Sequence, residues 1–111
     1  MITEKRLQEA LEYLATTDEE HAKLSAGIDY LKDKHKADKA QFIMTNPSAH
    51  LQKSAAMKET AYYSSNDYMN YISEKKDVAY KLNLLENKRA KENLVVDVWR
   101  TLEASRRKAS V

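Results

Sequence analysis

Residues 45–48 read Thr-Asn-Pro-Ser, and they are the one clear turn signal in this chain of 111 residues. Asn46 is a favoured helix N-cap, and Pro47 suits the first helical position because the N–H that proline lacks has no helical partner there. The whole chain contains one glycine and one proline, whereas β-hairpins depend on such turn residues. A short connection at residues 45–48 therefore predicts an all-α fold built on a long antiparallel helical hairpin.

The part of the chain before this turn is predicted to form two helices. The first begins at Thr3 and covers about residues 3–15. Thr17 and Glu20 have the spacing of a capping box, which predicts a break at residues 16–17 and a second helix over about 18–43. Both helices carry an apolar stripe at heptad-like spacing, the first with Leu7, Leu11 and Leu14, the second with Leu24, Ile28, Leu31 and His35.

The part after the turn is predicted to be one long helix over about residues 47–108, so that residues 1–111 form a single helical domain. The weakest stretch of this helix is Ser64–Asp67, whose short polar side chains compete for backbone hydrogen bonds. A kink or a short loop is the alternative at that point. The amino-acid sequence contains no internal repeat.

The apolar pattern of the long helix predicts self-association. The block 94–99 is apolar on most sides, which is typical of a segment buried against more than one neighbour. Residues 1–20 contain six acidic and two basic residues, whereas the last twelve residues contain four basic residues and one acidic residue, and this gradient indicates either head-to-tail association or an anion-binding end. The residues predicted to form the oligomer interface are Leu82, Leu85, Val96 and Trp99.

Five tyrosines within nineteen residues are the most unusual local feature: Tyr62, Tyr63, Tyr68, Tyr71 and Tyr80. Aromatic rings beside basic side chains can stack on bases, or they can form the buried seam of a coiled coil. Neighbouring residues on a helix point about 100° apart, so Tyr62 and Tyr63 cannot both face a core, and at least two of the five are expected to be partly exposed. The residues predicted to bind nucleic acid are Tyr62, Tyr63 and Tyr71 by stacking, and Lys75, Lys76, Lys88, Arg89, Arg106 and Arg107 through phosphates.

Catalytic chemistry has no sequence support. The chain lacks cysteine, and it contains no His-Glu-x-x-His motif and no glycine-rich phosphate loop. His21 and His35 would lie about 21 Å apart along one helix, too far to share an ion. We therefore expect no enzyme activity, no catalytic residue, no metal site and no cofactor. The absence of a signal peptide and of a long apolar run predicts a soluble, cytoplasmic protein with no membrane partner.

Three stretches resemble small helical proteins of tailed phages that are encoded beside replication and recombination genes. They are residues 2–11 (ITEKRLQEAL), 80–89 (YKLNLLENKR) and 98–107 (VWRTLEASRR). The length, helix order and basic-aromatic character also look like those of UvsY-type recombination mediators, which are short, all-helical and ring-forming. That resemblance implies single-stranded DNA, the protein itself, and a recombinase or single-strand binding protein as partners, in the host cell cytoplasm. It carries no motif from which a functional residue could be transferred.

Two functional hypotheses follow from these observations. The first is a phage recombination or replication accessory protein that binds single-stranded DNA non-specifically as a homo-oligomer. The alternative is a small phage protein that binds and modulates a host or phage protein, such as an inhibitor of a defence system, without nucleic acid. A purely structural coiled-coil spacer is a third reading of the same composition.

Overall fold

The computed structural model describes residues 2–109. It contains four helices: α1 (Glu4–Thr45), α2 (Pro47–His50), α3 (Ala55–Tyr63) and α4 (Asn66–Ala109). No strand occurs among the described residues, and the all-α prediction is confirmed. Segments of α1 and α4 run antiparallel, as the predicted hairpin requires. Contacts divide the described residues into two compact units, unit 1 (residues 2–23 and 82–109) and unit 2 (residues 24–81), a division that the sequence pattern does not indicate.

The predicted break at residues 16–17 is absent, and the first two predicted helices are one helix, α1. The Thr17 hydroxyl donates to the carbonyl of Tyr13 at 2.7 Å, four residues earlier, instead of capping a new helix. A threonine hydroxyl that bonds back in this way is compatible with a continuous helix. The predicted start is confirmed, because the Thr3 side chain accepts from the N–H of Arg6 at 3.1 Å and so caps α1.

The turn at residues 45–48 forms as predicted. The Asn46 side chain accepts from the N–H of Ser48 at 3.0 Å, and Pro47 occupies the first position of α2. The predicted long helix over 47–108 is instead interrupted twice, between α2 and α3 and again at Ser64–Ser65. The side chain of Ser54 caps α3, and Ser65 accepts from the N–H of Tyr68 at the start of α4. Short hydroxyl side chains thus supply the caps that make separate helices favourable.

Unit 1 packs the N-terminal part of α1 against the C-terminal part of α4. Its buried residues are Ala10, Leu85 and Val96. Leu85 and Val96 belong to the predicted oligomer interface, but they fill the core of a single chain and are therefore not exposed to a second copy. Leu82 and Trp99, the other two predicted interface residues, are half-buried.

Two arginines connect the helices of unit 1. Arg6 donates to both carboxylate oxygens of Glu92, at 2.7 and 2.9 Å. This bidentate pair lowers the pKa of the Glu92 carboxyl through the hydrogen bond from Arg6. Arg89 and Glu92 interrupt the apolar pattern of α4. Both charged side chains are tolerated at these positions because each has a hydrogen-bond partner on α1.

Unit 2 contains α2 and α3 together with the C-terminal part of α1 and the N-terminal part of α4. Its buried residues are Leu31, Phe42, Ala49 and Tyr62, and the last three of these form one cluster. None of the described helices has a stretch that is both long and apolar enough to cross a membrane.

Candidate nucleic-acid interface

The candidate stacking residues lie in a ring cluster of unit 2, which we call the tyrosine cluster. It combines residues of three helices because the turn at 45–48 and the break at 64–65 return α3 and the start of α4 towards α1. Ring centroids of neighbouring members lie 4.3–6.4 Å apart, the range in which aromatic pairs attract. Its members are His35 and Phe42 of α1, Tyr62 and Tyr63 of α3, and Tyr68 and Tyr71 of α4.

Tyr62 is the centre of this cluster and is only 1% exposed. Its hydroxyl shares a 2.9 Å hydrogen bond with Nδ1 of His35, and its ring meets that of Phe42 edge-on at 5.4 Å. Burial raises the pKa of the Tyr62 hydroxyl. A ring enclosed in this way has no face for a base, which corrects the prediction that Tyr62 stacks on nucleic acid.

Tyr63 and Tyr71 keep part of their rings at the surface. Tyr63 is 41% exposed, and the ammonium of Lys39 lies 5.1 Å from its ring centroid. Tyr71 is half-buried and stacks on His35, with centroids 4.3 Å apart and planes 9° from parallel. The ammonium of Lys75 lies 5.9 Å from the Tyr71 ring. The expectation that at least two of the five tyrosines are partly exposed is confirmed by Tyr63 and by Tyr80, which is 67% exposed.

Cations near these rings are the second component of a single-strand site. Lys75 is half-buried beside Tyr71, and Lys76 is exposed at the next position of α4. Lys39 is a further cation that sequence reasoning missed. Its ammonium donates to Glu59 at 2.9 Å and to the Tyr63 hydroxyl at 3.3 Å, contacts that exist only because α3 folds back on α1.

A cleft of about 600 Å³ is lined by two members of the cluster, Phe42 and Tyr71, and has an acidic character. Asp38, Asp67 and Glu74 also line it, with Lys34 as the one basic lining residue. Three carboxylates would repel a phosphate backbone. Tyr63 and Lys39 do not line this cleft, so this ring–cation pair suits a phosphate backbone better than the pair formed by Tyr71 and Lys75.

The remaining predicted phosphate contacts lie in unit 1 and differ in their surroundings. Arg89 points into the helix pair: its guanidinium donates to the Leu14 carbonyl at 2.8 Å, to the Thr17 hydroxyl at 2.7 Å and to the Asp18 carboxylate at 3.3 Å. These bonds hold α4 against α1, which corrects the prediction that Arg89 contacts phosphate. Lys88, Arg106 and Arg107 are exposed, and Arg106 also pairs with Glu103 at 3.2 Å.

His35 gives unit 2 a pH-dependent stability. Its pKa is lowered by burial first and then by Lys39 and Lys75, with Lys36 acting in the same direction and Asp38 against it. The hydroxyl of Tyr62 bonds its Nδ1, and Tyr63, Tyr68 and Tyr71 surround its ring. Because the folded state resists protonation of His35, its contribution is complete above the unfolded pKa of about 6.5 and is lost as the pH falls below it.

We expect the urea midpoint of unfolding to fall between pH 7.5 and pH 5, with an NMR titration placing the pKa of His35 below about 6.5. The contribution of Glu92 acts in a separate window, because a lowered carboxyl pKa affects stability only below the ordinary value of 4.5. The variant His35→Gln keeps a polar group there but does not titrate, so it should remove most of the change above pH 5. A variant whose midpoint changes with pH as much as that of the wild type would contradict this assignment.

Among residues 2–109, no group of three or more His, Asp and Glu side chains converges on a possible metal position. Comparison with protein-family models, with curated proteins and with solved structures finds no match to this chain.

Proposed function

We propose that this protein is a phage recombination or replication accessory factor that binds single-stranded DNA non-specifically as a homo-oligomer. The observation that carries the proposal is the pairing of partly exposed rings with cations in unit 2. Tyr63 lies beside Lys39, and Tyr71 lies beside Lys75. Rings that accept bases next to ammonium groups that attract phosphates are the combination that sequence-tolerant single-strand binders use.

The basic end of α4 supports the same proposal. Its last turn contains Arg106, Arg107 and Lys108, all exposed. A basic last turn also complements the helix dipole, an effect worth only about 0.3–1 kcal/mol per charge. Repetition of a modest basic patch in several copies would raise the overall affinity, which is why the proposal includes self-association. A recombinase or a single-strand binding protein remains the proposed protein partner.

The stacking part of the proposal predicts that Tyr63→Ala weakens binding to a fluorescently labelled single-stranded oligonucleotide. Loss of one base–aromatic stack is worth about 1–3 kcal/mol, or roughly 5- to 150-fold in affinity. Tyr30→Ala is the matched control, because Tyr30 is 63% exposed and lies outside the tyrosine cluster. If the two variants bind the oligonucleotide with equal affinity in an anisotropy titration, Tyr63 does not stack on a base.

The phosphate part predicts that the double change Arg106→Ala, Arg107→Ala lowers both the affinity and its salt dependence. Two lost phosphate contacts reduce the slope of log K against log salt by about 1.4, which corresponds to roughly 25-fold at 0.1 M salt. Lys32→Ala combined with Lys53→Ala removes the same charge from exposed positions elsewhere and serves as the control. If affinity and slope are both unchanged in the arginine variant, the end of α4 has no such role.

A second candidate function is supported by a different observation. Leu94 and Leu102 of α4 are 62% and 44% exposed, and exposed apolar side chains on a helix are typical of a protein-binding surface. The chain would then bind and modulate a host or phage protein without nucleic acid. A stoichiometric complex with a protein target that added DNA does not affect would favour this function.

A further inference from the structure

The C-terminal half of α4 carries two apolar faces, and the chain itself covers one of them. Leu85 and Val96 lie on the covered face, against α1. The second face, which we call the α4 face, follows the heptad intervals 4-3-4-3-4 that place residues along one side of a helix. Its apolar members are partly exposed, with Leu84 at 45%, Val98 at 39% and Leu102 at 44%. The α4 face consists of Leu84, Lys88, Lys91, Val95, Val98 and Leu102.

The N-terminal half of α1 has a face with the same intervals. All its members are exposed, including Leu11 at 42%. It combines small and apolar side chains with acidic ones, whereas the α4 face combines apolar side chains with lysines. We call it the α1 face, and it consists of Glu4, Gln8, Leu11, Ala15, Asp18 and Ala22.

The two faces complement each other in one orientation. When they are aligned antiparallel over their full length, Leu11 lies opposite Val95, Ala22 opposite Leu84, and Asp18 opposite Lys88. A parallel alignment would instead place Leu11 opposite Lys91. Net charge favours the same pairing, because residues 4–23 contain six acidic and three basic residues, and residues 82–109 contain four acidic and seven basic residues. Opposite net charges of −3 and +3 attract.

We propose that the α1 face of one copy packs antiparallel on the α4 face of a second copy. The proposal rests on the self-association contained in the proposed function and identifies the surfaces that form it. Pairing of two α4 faces with each other is less favourable, because it would bring Lys88 and Lys91 of both copies to one interface without an acidic residue of either face.

The register of this contact determines the symmetry of the assembly. Within one chain, Arg89 bonds Thr17 and Glu86 bonds His21, and the proposed contact places Lys88 opposite Asp18 at nearly the same level. Neighbouring copies of unit 1 therefore lie side by side without a shift along the helices. Each copy offers one α1 face and one α4 face, so the contact is heterologous, and such contacts close into a ring when the rotation between neighbouring copies divides a full turn.

Two variants that each block one face test the proposal by sedimentation velocity without DNA. Leu11→Lys blocks the α1 face, because it adds a cation opposite the lysines of the α4 face, and Val98→Glu blocks the α4 face, and both side chains are exposed enough for the chain to remain folded. The wild type is expected to form a larger oligomer and each variant a 12.8 kDa monomer. An equimolar mixture of the two is expected to give a dimer of twice that mass and nothing larger, because only one intact pair of faces remains. Leu51→Glu, at a side chain that is 75% exposed in unit 2, should assemble like the wild type.

Several results would overturn the proposal. They are a monomeric wild type, an oligomer that Leu11→Lys does not affect, and a variant mixture that stays monomeric. Circular dichroism checks that each variant keeps its helix content, and Ala22→Lys with Leu102→Glu is a second pair of variants for the same two faces. Anisotropy with single-stranded DNA separates this proposal from the proposed function. A wild-type oligomer that does not bind DNA overturns the proposed DNA binding and leaves the α1–α4 contact, whereas a monomeric wild type that binds DNA overturns the contact and the proposed self-association and leaves the DNA binding.

Discussion

Tyr62→Ala is expected to lower the free energy of unfolding by about 3–5 kcal/mol, the usual range for truncating a large buried aromatic side chain. Tyr62 is 1% exposed and packs against Phe42, Tyr63 and Tyr68. Its removal would leave a cavity at the junction of three helices and would deprive His35 of its hydrogen-bond partner. A change of this size is a large part of the 5–15 kcal/mol that stabilises a typical domain.

Urea unfolding followed by circular dichroism measures this effect. Tyr80→Ala is the matched control, because Tyr80 is 67% exposed, and it should change the free energy by less than about 0.5 kcal/mol. Tyr62→Phe separates packing from hydrogen bonding and should lower the free energy by about 1 kcal/mol. If Tyr62→Ala is no more destabilising than Tyr80→Ala, the ring is not buried as the structure shows.

Arg89→Ala is expected to lower the free energy of unfolding by about 2 kcal/mol, a typical value for lost hydrogen bonds to a charged group. The Arg89 side chain is 18% exposed and reaches three acceptors on α1, which are the Leu14 carbonyl, the Thr17 hydroxyl and the Asp18 carboxylate. Lysine keeps the charge but lacks the planar fork of guanidinium donors, so Arg89→Lys should recover only part of the loss.

The neighbouring Lys88 provides the control for this prediction, since it is exposed on the same helix. Lys88→Ala should leave the urea midpoint nearly unchanged. In single-stranded DNA binding, Arg89→Lys is expected to have little effect, because the Arg89 guanidinium is bonded to α1. If Arg89→Ala is as stable as the wild type but binds DNA more weakly, Arg89 contacts phosphate and does not hold α4 against α1.

The features that could be predicted from the sequence depend on local chemistry. The cap at Asn46 and the helix start at Pro47 need only neighbouring residues, and both form as expected. The break at Ser64–Ser65, which the sequence offered only as the alternative to a continuous helix, is also local, because serine hydroxyls satisfy the backbone groups there. The all-α fold followed from composition and periodicity, which likewise require no knowledge of distant contacts.

The features that could not be predicted depend on distant residues. Thr17 and Glu20 have the spacing of a capping box, but the Thr17 hydroxyl bonds back to Tyr13 and accepts from Arg89, 72 positions away. Because Tyr62 and Tyr63 are adjacent on a helix, the sequence showed that only one of them could face a core. Which of them is buried depends on where α3 packs, and that is fixed by His35 and Phe42 of α1.

Fluorescence anisotropy of a labelled single-stranded oligonucleotide, titrated with the wild-type protein at low and at physiological salt, tests the central claim most directly. The proposed function predicts submicromolar binding that weakens steeply as salt increases, because each phosphate contact releases a counterion. The same titration with a labelled duplex shows whether the exposed tyrosine rings favour unpaired bases. Absence of binding to the single strand even at low salt would contradict the claim and would favour a protein partner instead.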